Sequence, residues 1–207
     1  FFASRMLENE VKGVYADVME RAFYNTVLAG MQLDGKRFFY VNPLEVVPGI
    51  AGEAVTHKHV IPQRPTWYAC ACCPPNVART LASLGQYVYA QEGDSILIHQ
   101  FISSEVQTET KGGITTLKMD STLMQDGKVS IHAETEKGCS LKIRIPAYAE
   151  NWKVLTGGKE EKPEIQNGYI TVTLPAGEHT VTLDLDVHPH WWQRMIMFAL
   201  MQEKPLW

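Results

Sequence analysis

The hydrophobic period of this sequence changes once, near residue 89, from helical to strand-like. In "KGVYADVMERAFYNTVLAGM" Val14, Val18 and Ala22 recur one turn apart, with Tyr15, Met19 and Phe23 beside them. That pattern predicts an amphipathic helix ended by Gly30 or Gly35. "KRFFYVNPLEV" predicts a short extended segment stopped by Pro43. "PPNVARTLASLGQYVYA" predicts a second helix, with Pro74 and Pro75 closing it off upstream, Asn76 as cap and Val77, Leu81 and Leu84 as its stripe. From there the period is two. "DSILIHQF", "ITTLKMD", "KVSIHAE", "SLKIRIP", "YITVTLP" and "HTVTLDLDV" alternate or are β-branched, and "EGD", "KGG", "QDGK", "TGGK", "QNG" and "PAGE" separate them. The expectation is an α + β chain whose second part is an antiparallel β-sandwich, with the boundary near residues 89–94.

Charge and composition narrow the function classes. A formal net charge of -4 argues against a nucleic-acid footprint, which needs Lys and Arg clustered on one face. No apolar run approaches the ~20 residues needed to cross a bilayer. The opening "FFASRMLENE" has neither a basic n-region nor a small-residue cleavage site, so the expected location is cytoplasmic. It also lacks an initiating Met and reads like the second half of a helix, so its silence about export carries little weight.

Three of the four cysteines fall in "WYACACCPPNVAR", residues 67–79. The spacing of Cys70, Cys72 and Cys73 is not that of a zinc knuckle, which repeats C-x2-4-C or pairs it with His. His57 and His59 in "THKHV" are the nearest imidazoles, and in an extended segment both would share a face, as metal ligands or as plain surface. By these rules alone a metal site, a reactive thiol or a strained vicinal disulfide competes with simple burial. Cys139, in "TEKGCSLKIRI", is expected to be a small buried residue at a strand entry.

"YADVMERAFYNTVLAGMQLDGKRFFYVNPLE", followed by "CACCPPNVARTLASL", closely resembles the glycoside hydrolase family 127 of β-L-arabinofuranosidases. The likeness runs to about residue 185 and includes "LKIRIPAYAE". It implies that residues 1–90 are the last helices of an (α/α)6-barrel catalytic domain and residues 91–187 the β-sandwich that follows. It also implies zinc, held by a Glu and a Cys of an "E-T-C" motif and by two adjacent cysteines, here Cys72 and Cys73. Cys72 would be both ligand and nucleophile, in a retaining double displacement through a thioglycosyl intermediate. Zinc keeps a thiol deprotonated at neutral pH, and the sulfur then takes the part of the usual carboxylate.

Glu20 and Tyr40 would contact the sugar of an arabinofuranosyl glycan, Glu20 as an acceptor for its hydroxyls. Cys70 reads as support or core, and Asp17 and Glu45 as solvated or capping residues. The "E-T-C" motif and the acid/base Glu of the family lie upstream of a segment like "FFASRMLE". The chain alone is therefore expected to bind zinc weakly and to be inactive, with no acid to protonate a leaving group. Its uncovered helical faces, such as Val14–Val18–Ala22, are expected to drive oligomerisation.

The tail from residue 188, "HPHWWQRMIMFALMQEKPLW", fits neither period. Back-translated with permitted codons and read two nucleotides later, Met195–Lys204 can encode "DNVRADAGK", close to the family's own continuation. Residues after Val187 then read as a shifted frame, and the Trp191–Trp192 pair as no sugar platform. Two other classes compete with the hydrolase reading. One is a non-catalytic carbohydrate-binding β-sandwich, and the other a cysteine metal or redox module.

Overall fold

The computed structural model describes residues 1–43, 45–67 and 72–188. Cys70 and the tail with Trp191–Trp192 lie outside the described residues. A helical part comes first, with α1 (Phe2–Asn9) and α2 (Gly13–Arg21), which runs on through a π-helical stretch, Ala22–Val27. After a long loop come α3 (Cys73–Ala82) and the single turn α4 (Gly85–Val88). No described helix is long and apolar enough to cross a membrane.

Among the described residues ten strands follow, β1 (Tyr89–Glu92), β2 (Ser95–Ile98), β3 (Ser104–Thr110), β4 (Gly113–Thr122), β5 (Lys128–Thr135), β6 (Cys139–Arg144), β7 (Trp152–Thr156), β8 (Lys159–Glu161), β9 (Tyr169–Leu174) and β10 (Gly177–Leu185). A short helix, α5 (Leu123–Asp126), links β4 to β5. The strands form a four-stranded sheet, β1-β2-β6-β9, and a six-stranded sheet, β3-β4-β5-β10-β7-β8. The six alternating segments of the sequence are β2, β4, β5, β6, β9 and β10. Alternate residues of both sheets, among them Ile96, Leu141, Ile170, Leu117, Ile131 and Leu183, share one buried apolar cluster. Cys139 belongs to it, and burial pushes its thiol pKa up.

The sheets are not wholly antiparallel. β2 pairs parallel to β6, Ser95 opposite Ser140 and Ile98 opposite Ile143. Three strands intervene in sequence between them, and that long crossover is what a parallel pair requires.

The four-stranded sheet is covered on both faces. Leu97 and His99 turn away from the shared core toward the helices, where Ala3, Leu7, Ala16, Met19 and Tyr87 form a second cluster flanked by Tyr15 and Phe23. So α2 buries the arc with Ala16 and Met19, while Val14 and Val18 stay 54% and 46% exposed. The helix lies close because glycines meet at the seam. Gly13 N–H donates to Asn167 O at 2.7 Å, and a Cβ on Gly168 would stand 2.8 Å from Gly13 Cα. Gly168 also has φ +84, a left-handed conformation that favours glycine.

Asp17 departs from its expected solvated or capping role. It is buried on the same face, 2.5 Å from Arg144. Two local expectations about α3 and the loop before it also change. Pro74 and Pro75 sit inside the first turn of α3, where missing N–H groups cost nothing. Asn76 lies in that turn too, its Nδ2 donating back to Cys72 O at 2.8 Å rather than capping the helix. Val55–His57 is a 3-10 turn, so His57 and His59 do not share the face an extended segment would give them.

A candidate thiol site and a buried interdomain carboxylate cluster

The two adjacent cysteines occupy the start of α3, Cys72 at its cap and Cys73 at its first residue. Cys72 is exposed and Cys73 half-buried, with Sγ atoms 3.5 Å apart. Cys73 Sγ also lies 3.5 Å from Tyr40 O, which brings the loop carrying Tyr40 against the thiols. That loop is held by Arg64, whose Nε and Nη2 both donate to Ala29 O, at 3.1 and 2.6 Å, while its guanidinium covers the Phe39 ring. Backbone bonds from Phe38 N to Pro65 O and from Phe39 N to Gly30 O close it. Phe38 enters a single bridge with Met31, so the expected extended segment is reduced to that contact. The Tyr40 residue itself is 38% exposed.

Adjacent sulfurs at a helix N-terminus sit at the positive end of its dipole, although Pro74 and Pro75 leave that turn without two of its N–H groups. The spacing also suits two thiolates on one tetrahedral zinc, since Zn–S distances of ~2.3 Å place such sulfurs roughly 3.8 Å apart. Two thiols would supply two of the four donors that a tetrahedral site needs. Among the described residues no group of three or more His, Cys, Asp and Glu is arranged to hold a metal, and exposed His57 and His59 do not complete one.

Glu20 has a different setting. It lies on α2, 5% exposed, against the four-stranded sheet. Arg144 of β6 reaches it across the seam, with Nη1 donating to Glu20 Oε2 at 3.1 Å and Nη2 2.9 Å from Oε1. Nη1 serves Asp17 Oδ1 as well, and the Tyr148 hydroxyl approaches Glu20 Oε1 at 3.4 Å. Behind this cluster His99 Nδ1 and the Tyr169 hydroxyl share a 2.7 Å hydrogen bond, and Gln100 Nε2 donates to Ala16 O at 2.9 Å. Burial, reinforced by the Arg144 charge, lowers the His99 pKa to about 4, so the ring is neutral near pH 7. Burial raises the Tyr148 and Tyr169 hydroxyls well above their ordinary value, and both remain donors.

Sequence reasoning singled out Glu20 but not its partners. The one local signal for Arg144 is its place in "SLKIRI", on the face of β6 opposite Leu141 and Ile143. Only knowledge that a helix covers that face turns such a residue into a buried one.

Two family models match the chain in succession. The β-L-arabinofuranosidase GH127 catalytic domain matches residues 1–86, and the GH127 middle domain residues 95–187. A non-reducing end β-L-arabinofuranosidase of Bifidobacterium longum subsp. longum is 36% identical over 195 residues, 90% of this chain and 29% of that protein. The crystal structure of a GH127 β-L-arabinofuranosidase from Geobacillus stearothermophilus T6 matches with a TM-score of 0.82 at 40% identity, covering 89% of this chain and 30% of that one. A structure described as a glycoside hydrolase matches at 27% identity with a TM-score of 0.79, covering 89% and 31%. The chain therefore spans 29–31% of the length of these relatives.

Proposed function

Because this chain belongs to the GH127 family of β-L-arabinofuranosidases, we propose that it carries the nucleophile end of a retaining hydrolase acting on β-L-arabinofuranosyl groups of glycans. Cys72 is the nucleophile in this reading, and Cys72 and Cys73 are two of the donors to a zinc ion. The exposed Cys72 sulfur beside Cys73, on the first turn of α3, carries the reading. Zinc, when bound, would supply the charge that keeps both sulfurs deprotonated at neutral pH. Cys72 Sγ would attack the anomeric carbon, forming a C–S bond as the glycosidic C–O bond breaks. The departing oxygen takes a proton from an acid, and water then displaces the sulfur, so configuration is retained. In this reading Tyr40, whose backbone oxygen lies 3.5 Å from Cys73 Sγ, lines the sugar, and Glu20 accepts from its hydroxyls.

In this reading residues 1–90 are the closing helices of an (α/α)6 barrel and the two-sheet part is its β-sandwich companion. With two of four zinc donors among the described residues, the chain alone is expected not to turn over. Exposed thiols of this kind suit a reducing, cytoplasmic setting. A β-L-arabinofuranosyl haloacetamide tests the assignment. Alkylation of Cys72 ahead of Cys73 and Cys139, slowed by free L-arabinose, is the expected result. Labelling no more selective than that by iodoacetamide would count against it.

A further inference from the structure

Arg64 precedes the cysteines on the segment that leads into α3, and it is half-buried. Its Nε and Nη2 converge on one acceptor, Ala29 O, at 3.1 and 2.6 Å, and its Cζ stands over the Phe39 ring, 4.6 Å from the centroid. Ala29 lies just past the π-helical end of α2, where carbonyls have no helical N–H to meet. Phe39 N takes the next of them, Gly30 O, at 2.8 Å, and Phe38 N donates to Pro65 O at 3.2 Å. The end of α2, the strip Phe38–Tyr40 and the segment Arg64–Pro65 are thus tied to one another around the guanidinium. The strip ends at Tyr40 O, which accepts from Cys73 S–H at 3.5 Å. An ammonium could satisfy the Ala29 carbonyl, but only a planar fork can do so while stacking on a ring, and so hold two neighbours at once.

This arrangement makes two adjacent thiols unequal. Both stand at the start of α3, yet Cys72 is exposed while Cys73 is half-buried with a carbonyl against its sulfur. We propose that Arg64 is a positioning residue of the thiol pair, which holds the Tyr40 carbonyl on Cys73 and so leaves Cys72 as the sulfur presented to an electrophile. This rests on the reading of Cys72 and Cys73 as the reactive pair, and it needs neither zinc nor sugar in place.

Iodoacetamide alkylation of the whole chain, read separately at Cys72, Cys73 and Cys139 by peptide mass spectrometry, tests it. In the parent, Cys72 is expected to outpace Cys73 about tenfold, the worth of one hydrogen bond from a charged donor to the loop. Arg64→Lys keeps the charge and loses the fork, and the ratio is expected to fall toward one because Cys73 quickens. Phe39→Leu, which removes only the stacked ring, is expected to lower the ratio less. Cys139, buried in the sandwich core, is expected to stay unlabelled in both variants, which shows that they remain folded. A merely structural role would loosen the site and quicken both thiols alike, leaving their ratio unchanged. That result, the parental ratio in Arg64→Lys, or equal rates in the parent would overturn the inference. A ratio that falls as expected in a chain whose Cys72 the arabinofuranosyl haloacetamide does not favour would keep the role of Arg64 and remove the nucleophile reading.

Discussion

Lowering the pH tests the seam through one residue, His99. Its imidazole is 4% exposed, bonded to the Tyr169 hydroxyl at 2.7 Å and repelled, when protonated, by Arg144. The ring titrates at about 4 in the folded chain, against 6.5 ordinarily. Below pH 6.5 the unfolded chain therefore takes up a proton that the folded chain refuses, so stability falls with pH until the folded ring titrates too. Above about pH 7 both forms are neutral and this contribution is flat. At ~1.4 kcal/mol per pH unit, the loss between about pH 7.5 and pH 5 is about 2 kcal/mol. Urea unfolding at the two pH values measures the total, and His99→Asn, which keeps a polar partner for Tyr169, removes this share. The variant is expected to lose about 2 kcal/mol less than the parent over the same interval. Equal losses in both, or an imidazole NMR titration centred near pH 6.5, would refute the reasoning.

Other consequences concern packing and assembly. Gly168→Ala forces a Cβ against Gly13 Cα at a residue with φ +84, and is expected to cost about 2–3 kcal/mol in urea unfolding. Ile131→Ala, at a fully buried position of the shared core, is expected to cost about 2–5 kcal/mol in the same assay. The exposed large apolar side chains fall mostly in the helical part, Phe2, Val14, Val18 and Leu33 among them. Light scattering is expected to show association that weakens in Val14→Glu/Val18→Glu, and a monodisperse parent monomer would contradict this. Release of p-nitrophenol from its β-L-arabinofuranoside is expected to stay at background for the chain with added zinc, and clear turnover would show that a complete site is present.

How much of this was legible in the sequence depended on whether the signal was local. Strands such as β5 and β10 announced themselves because one face is core and the other solvent, giving strict alternation. Edge strand β3, "SEVQTET", and the hairpin β7–β8 were not read as strands, since edges carry polar residues on both faces or are very short. The parallel β2–β6 pair was hidden for another reason: pairing across three intervening strands leaves no trace in either segment. On α2 the apolar pattern offered two neighbouring stripes, and only the seam decides that Met19 is covered and Val14 is not. Asp17 looked like a solvated helix residue because its cation stands 127 positions away. The cysteine pair, by contrast, was legible from a short string, since two thiols at the start of a helix are adjacent in sequence and in space.

We propose Cys72 and Cys73 as the two halves of one zinc-thiolate donor pair. Zinc content by elemental analysis, with thiol titration alongside, tests it most directly on the chain after equilibration with zinc, and on Cys72→Ser and Cys73→Ser. Weak, sub-stoichiometric zinc that protects two thiols and disappears in either variant is the expected result. Zinc retained in both variants, or two thiols equally reactive with and without the metal, would contradict it.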